Sequence, residues 1–119
     1  EYYYIFILEG NYRERRRKVV DREKQILEVS MIFKLLSNPM RLGILCYLTE
    51  KKEMTVNEIR EYFPNYSQPS ISQQLQSLKA NKIVKDRKQG QYVYYSIAEE
   101  RILKFMDRLH ELYCKEGEE

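Results

Sequence analysis

Cys46, Cys114 and His110 are the side chains of this 119-residue sequence best suited to covalent or metal chemistry. The two cysteines lie far apart with no CxxC pair, so neither a zinc framework nor a secreted disulfide scaffold fits. His110 is the sole histidine. With Asp107, Glu111 and Cys114 it falls at spacings that share one helical face, yet one imidazole beside carboxylates makes a poor transition-metal site. No metal and no cofactor is expected. A thiolate is a nucleophile, and an exposed one near a resolving partner can act as a sulfur switch. Cys46, however, lies among Leu42, Leu45 and Leu48, where a free cysteine is often just a small buried apolar residue, and Cys114 can equally be an idle thiol near the chain end. The residues alone leave both readings open. There is no activated nucleophile, no carboxylate pair in a plausible cleft beside the histidine, and no phosphate-binding loop among the four glycines, so an enzyme is not expected.

A second chemistry is hydrogen bonding. Residues 67–81 read SQPSISQQLQSLKAN. Ile71, Leu75 and Leu78 form one apolar helical stripe, while the outward positions Ser70, Gln73, Gln76 and Ser77 carry no charge. Ser and Gln both donate and accept, which suits base edges and phosphate oxygens, and an acid there would repel the DNA backbone. Close behind come Arg87, Lys88, Gln89 and Gln91 around a glycine turn, placed at a hairpin tip to reach an adjacent minor groove or phosphate.

These residues need a frame. The net charge of +3 is mild, but it is clustered, at Arg13, Arg15, Arg16, Arg17 and Lys18 and again at Lys85, Arg87 and Lys88. The first cluster suits either a solvated helix face or phosphate contact. No apolar run approaches the ~20 residues of a membrane span, EYYYIFILEG lacks the marks of a signal peptide, and a cytoplasmic protein is expected. The chain does not begin with Met, and further residues upstream are expected. The pattern predicts a helix over 12–36. A second helix opens at SNPMRLGILCYL, capped by Ser37 or Asn38, with Pro39 first. A third opens at a Thr55/Glu58 capping box and runs to Tyr62 or Phe63, where Pro64 ends it. Ser67 caps the helix described above. KIVKDRKQGQYVYYSI then alternates about Gln89-Gly90 as a hairpin, with Val84, Tyr92, Tyr94 and Ser96 on one face and Val93, Tyr95 and Ile97 on the other. From Glu99 to about Lys115, the residues Ile102, Phe105, Met106, Leu109, Leu112 and Tyr113 form the apolar stripe of a last helix. The order is that of a winged helix-turn-helix: mainly α with a β wing, five helices in all. The expected division is an N-terminal arm of unknown role (1–11), a DNA-binding and dimerisation domain (12–116) and a tail (117–119).

FKLLSNPMRLGILCYL resembles the second-helix signature of the ArsR-type bacterial repressors, and SQPSISQQLQSLKANKIVKDRKQGQYVYYSI resembles their recognition helix and wing. The match runs over residues 33–114. The connection FPNYS is about one residue longer than the family pattern, and residues 1–24 have no counterpart in it. The resemblance implies a homodimer formed through the first and last helices, in agreement with the stripe from Ile102 to Tyr113, and binding to an inverted repeat in double-stranded promoter DNA. Positions matching DNA contacts are Gln68, Ser70, Ser72 and Gln73. A family metal site built on Cys-x-Cys at the third helix has Thr55 and Asn57 in its place here. A redox- and persulfide-sensing subgroup carries one cysteine in the second helix and one in the last, as do RLGILCYL at Cys46 and LYCKE at Cys114. In that subgroup an oxidant or reactive sulfur species links the two by a disulfide or polysulfide bridge, the last helix shifts and DNA affinity falls. The expected function is therefore a DNA-binding transcriptional repressor released by such an inducer. The alternatives are a repressor without a thiol switch (constitutive, partner-controlled, or metal-responsive through a last-helix site) and a winged-helix protein-interaction module.

Overall fold

In the computed structural model, residues 2–114 are described, with side chains from Gly10 onward. The chain divides into two compact units, 1–34 and 35–119. The first unit is helical throughout its described length. It belongs to α1, Tyr2–Leu36, which runs unbroken through the boundary expected at 11–12, because the stretch holds no proline and only one glycine, Gly10. Val19, Val20, Ile26, Leu27, Val29 and Met31 on α1 are all exposed. The expected boundary at 116 and the tail 117–119 lie outside the described residues.

The second unit follows the order α2 (Pro39–Lys51), β1 (Met54–Thr55), α3 (Val56–Glu61), α4 (Gln68–Ala80), β2 (Val84–Gln89), β3 (Tyr92–Ile97) and α5 (Glu100–Tyr113). The starts of α2, α3 and α4 each have a visible cause. Asn38, rather than Ser37, caps α2: its Oδ1 accepts from the amides of Met40 at 2.9 Å and Arg41 at 3.1 Å, with Pro39 inside the first turn. The Thr55/Glu58 capping box closes reciprocally at the head of α3. Ser67 Oγ accepts from the Ser70 amide at 3.2 Å and starts α4. The core lies where these helices meet the sheet: Ile44, Leu45, Leu48, Ile59, Ile71, Leu75, Leu78, Val84 and Met106 are almost wholly enclosed.

Three features depart from the sequence pattern. A short strand, β1, pairs with β3 and makes the sheet three-stranded and antiparallel, in the order β1-β3-β2. Two residues are too few for an alternation to show in sequence. The third helix ends at Glu61 rather than Tyr62 or Phe63. Finally, the hairpin turn is Gly90-Gln91, with Gly90 at φ 61°, the position where a two-residue hairpin favours glycine. That turn pairs Val84 with Ile97 and Asp86 with Tyr95. Partners in an antiparallel pair share a face, so Val84 belongs with Val93, Tyr95 and Ile97 on the core side, not with Tyr92, Tyr94 and Ser96.

Candidate nucleic-acid interface and thiol pair

The connection into α4 is held by aromatic rings. Tyr47 of α2 stacks on Tyr62 at 4.1 Å between centroids and meets Phe63 edge-on at 5.7 Å, and Phe63 meets Tyr66 at 6.2 Å. Gly43 lets the Phe63 ring in, since a Cβ there would stand 2.9 Å from its tip. Two arginines then grip α4 from its neighbours. Arg60 Nη1 donates to Gln68 Oε1 at 3.1 Å. Arg41 Nη1 donates to Gln74 Oε1 at 3.2 Å, while its Nε donates to the Leu35 carbonyl at 2.7 Å. Lys79 Nζ meets Asp86 at 2.8 Å, tying the end of α4 to β2; that hydrogen bond is the main reason the lysine is pushed above its ordinary range.

With Ile71, Leu75 and Leu78 turned inward, a turn of 3.6 residues places Gln73 and Gln76 near the middle of the opposite face. Both are exposed, as is Gln68, while Ser70 and Ser72 are half-buried on the flanks. Gln76 was legible as an outward position but is absent from the family-matched contact set, and the geometry gives it the same standing as Gln73. Every one of these groups is uncharged.

The wing differs from the expected tip of four neighbouring polar residues, because alternation sends them to different faces. Lys88 pairs with Val93 on one face, Arg87 and Gln89 lie on the other opposite Tyr94 and Tyr92, and only Gln91 is in the turn. Arg87 is also already engaged. Its Nε and Nη2 donate to the two carboxylate oxygens of Glu53 at 3.1 and 3.2 Å, its guanidinium lies 4.8 Å over the Tyr94 ring, and its Nη1 donates to Gln89. The hydrogen bond from Arg87 is the main reason the Glu53 carboxyl is held below the usual carboxylate range. Spacing gave no signal for this pair, which spans 34 positions.

Cys46 is half-buried on α2, Cys114 is exposed at the end of α5, and both are free thiols. Burial pushes the Cys46 thiol up, and negative charge at Cys114 and then Glu50 pushes it further. The two cysteines lie far apart in sequence, and the packing of α2 against α5 brings their elements together. Of the expected dimer residues, Ile102 and Met106 are enclosed in the core of the single chain at 2% and 1% exposure. An amphipathic helix on a small domain must first cover that core, so these two are packing residues. Leu109 is half-buried, and Phe105, Leu112 and Tyr113 remain exposed. Among the described residues no three His, Cys, Asp or Glu side chains converge as a metal site, and no single helix is long and apolar enough to cross a membrane.

Residues 38–86 match the family of bacterial regulatory proteins of the arsR type. The biofilm growth-associated repressor of Xylella fastidiosa (strain Temecula1) is 33% identical over 94 residues, which cover 79% of this chain and 81% of that protein. The chain belongs to the ArsR family. The transcriptional activator HlyU of Vibrio cholerae is 32% identical over 95 residues, covering 80% of this chain and 86% of HlyU. The structure of reduced HlyU from Vibrio cholerae superposes with a TM-score of 0.74 over 80% of this chain and 98% of that one. This ArsR-family protein is accordingly a DNA-binding transcriptional regulator and not an enzyme. Among the described residues, five helices and a three-stranded sheet make up the family's winged helix-turn-helix.

Proposed function

We propose that this ArsR-family protein is a homodimeric, cytoplasmic repressor that holds an inverted repeat in promoter DNA and releases it when Cys46 and Cys114 become bridged. α4 enters the major groove, with Gln73 and Gln76 central and Gln68, Ser70 and Ser72 flanking, while Lys88 and Gln91 of the wing meet the backbone. The observation that carries the switch is that α2, with the half-buried Cys46, packs against α5, which ends at the exposed Cys114. α2 also carries Arg41, which grips α4 through Gln74, so strain at Cys46 has a short physical route to the reading helix. That a relative's structure is described as reduced HlyU fits a thiol reading.

The chemistry balances simply. The exposed Cys114 sulfur, as thiolate, attacks the outer sulfur of a low-molecular-weight persulfide RSSH, releasing RSH and leaving a persulfide on Cys114. The Cys46 thiol then displaces the terminal sulfur as hydrogen sulfide and closes a disulfide; one further persulfide, again losing RSH, inserts a third sulfur before closure. Both steps need a thiolate, so Cys46, whose ionisation burial disfavours, gives up its proton as it attacks second, and the exposed Cys114 reacts first.

The test is intact-mass spectrometry of the reduced protein after a persulfide donor, with promoter-DNA titrations on the same samples. The expected result is the loss of two hydrogens, with or without added whole sulfur atoms, both thiols closed to alkylation, and weakened DNA binding that Cys46→Ser and Cys114→Ser each abolish. Two free thiols and unmoved binding would overturn the switch. Operator binding insensitive to salt would overturn the DNA interface itself, since phosphate contact makes affinity fall steeply with salt.

A further inference from the structure

Arg87 is the basic side chain of the wing best suited to bind phosphate, because guanidinium presents a planar fork of donors. The fold gives that fork another partner. Lys52, at φ 75°, turns the chain sharply out of α2, and Glu53 follows at the outer edge of the sheet beside β1. Met54 pairs with Tyr95 and Arg87 with Tyr94, so Glu53 stands level with Ser96, further from the turn than Tyr94. To reach it, the Arg87 side chain crosses over the Tyr94 ring toward the far edge of the sheet, leaning away from Gly90-Gln91. Both ends are accessible: the Arg87 and Glu53 side chains are 49% and 43% exposed. Ion pairs this open to water are weak, so an incoming phosphate can compete with the carboxylate for the same N–H groups.

We propose that Glu53 restrains DNA binding by competing with backbone phosphate for Arg87. The proposal rests on the DNA interface described above and adds to it an acidic residue that sets its affinity. Bound to Glu53, the guanidinium is withheld, and the wing meets DNA through Lys88 and Gln91. Whenever the Arg87–Glu53 pair opens on DNA, one more phosphate is neutralised, at the cost of leaving Glu53 without its partner. Because phosphate carries no sequence, the restraint acts equally on operator and random DNA.

The test uses the full chain and two duplexes of about 30 base pairs, long enough for two half-sites one helical turn apart: one of random sequence and one selected from a random pool by the wild-type protein. Glu53→Gln is expected to tighten binding to both by about 5- to 10-fold near 0.1 M salt and to steepen the salt dependence by about one counterion. Arg87→Ala alone changes little, since the side chain is already withheld. In the Glu53→Gln background, Arg87→Ala removes the gain. If Glu53→Gln weakens binding, Glu53 orients Arg87 for DNA and the restraint is refuted. A gain that survives Arg87→Ala reflects only the lost negative charge, and it too overturns the proposal, as does no change. Wild-type protein that shows no salt-dependent binding to either duplex overturns the DNA interface and this restraint together, whereas a bound wild type with an inert Glu53→Gln overturns the restraint alone.

Discussion

The two thiols differ in what surrounds them, and that difference is measurable. Burial, then negative charge at Cys114 and at Glu50, favours the neutral form of Cys46, so at neutral pH iodoacetamide should label Cys114 first. The Cys46 rate should climb only above the ordinary thiol range, and Cys114→Ser should move that climb to lower pH by removing one of the repelling charges. Mass-resolved alkylation across pH checks both, and equal rates at neutral pH would contradict the burial argument. The same shift sets a sign for stability. An acid whose ionisation is easier in the unfolded chain contributes fully below the ordinary thiol range and loses that contribution as pH rises through it. The cysteine pair was legible in the sequence only through resemblance, since spacing alone permits two idle thiols. The Glu53–Arg87 pair was not legible at all, because it depends on which strands are neighbours and on how the chain leaves α2.

At the scale of elements, the caps and apolar stripes were readable because they are local. Asn38, Thr55 with Glu58, and Ser67 act within three residues of themselves, and Ile71, Leu75 and Leu78 mark their face by spacing alone. Val84 lies on the face opposite to the one its alternation suggests, because a one-residue change in where the turn falls sends every side chain of a strand to the other face. The same locality makes α4 testable. Gln73→Ala should leave thermal unfolding unchanged, since the side chain is exposed, yet cost ~1–3 kcal/mol of operator binding and relax base preference at one position; a titration against single-base operator variants reads both. Lys52 offers a prediction of opposite sign. Its φ of 75° and ψ of −56° are strained for a residue with a Cβ, while its amide bonds the Leu48 carbonyl at 2.9 Å, a bond that glycine keeps. Lys52→Gly should therefore raise stability by about 0.5–1 kcal/mol, the relief of strain exceeding glycine's larger entropy in the unfolded chain. Urea denaturation measures it, and a destabilised variant would mean that the lysine stem contributes more than its backbone costs.

At the scale of the whole molecule, apolar surface is left over on the first and last helices. Val19, Val20, Ile26 and Leu27 of α1 are 44–66% exposed, and on α5 Leu112 and Tyr113 stand at 61% and 80%. These are the two elements that the resemblance assigns to the dimer, and exposed apolar groups in such number are characteristic of an interface. Which substitution can prove it depends on burial within the protomer. Replacing Ile102 or Met106 with aspartate would put a charge into the protomer's own core and unfold it, so loss of the dimer would say nothing about the interface. Leu112 lies outside that core. Leu112→Asp should keep its helical signal and its unfolding temperature at low protein concentration, yet sediment as a monomer at micromolar concentration. Because two linked reading helices bind paired half-sites far more tightly than one, that monomer should also lose roughly 100-fold or more in operator affinity. A Leu112→Asp protein that still sediments as a dimer would move the interface off the end of α5 and leave α1 to carry it alone. The exposed thiol at Cys114 would then lie clear of the partner, and bridging it to Cys46 would have to reach DNA through α2 and Arg41 rather than by displacing the second protomer.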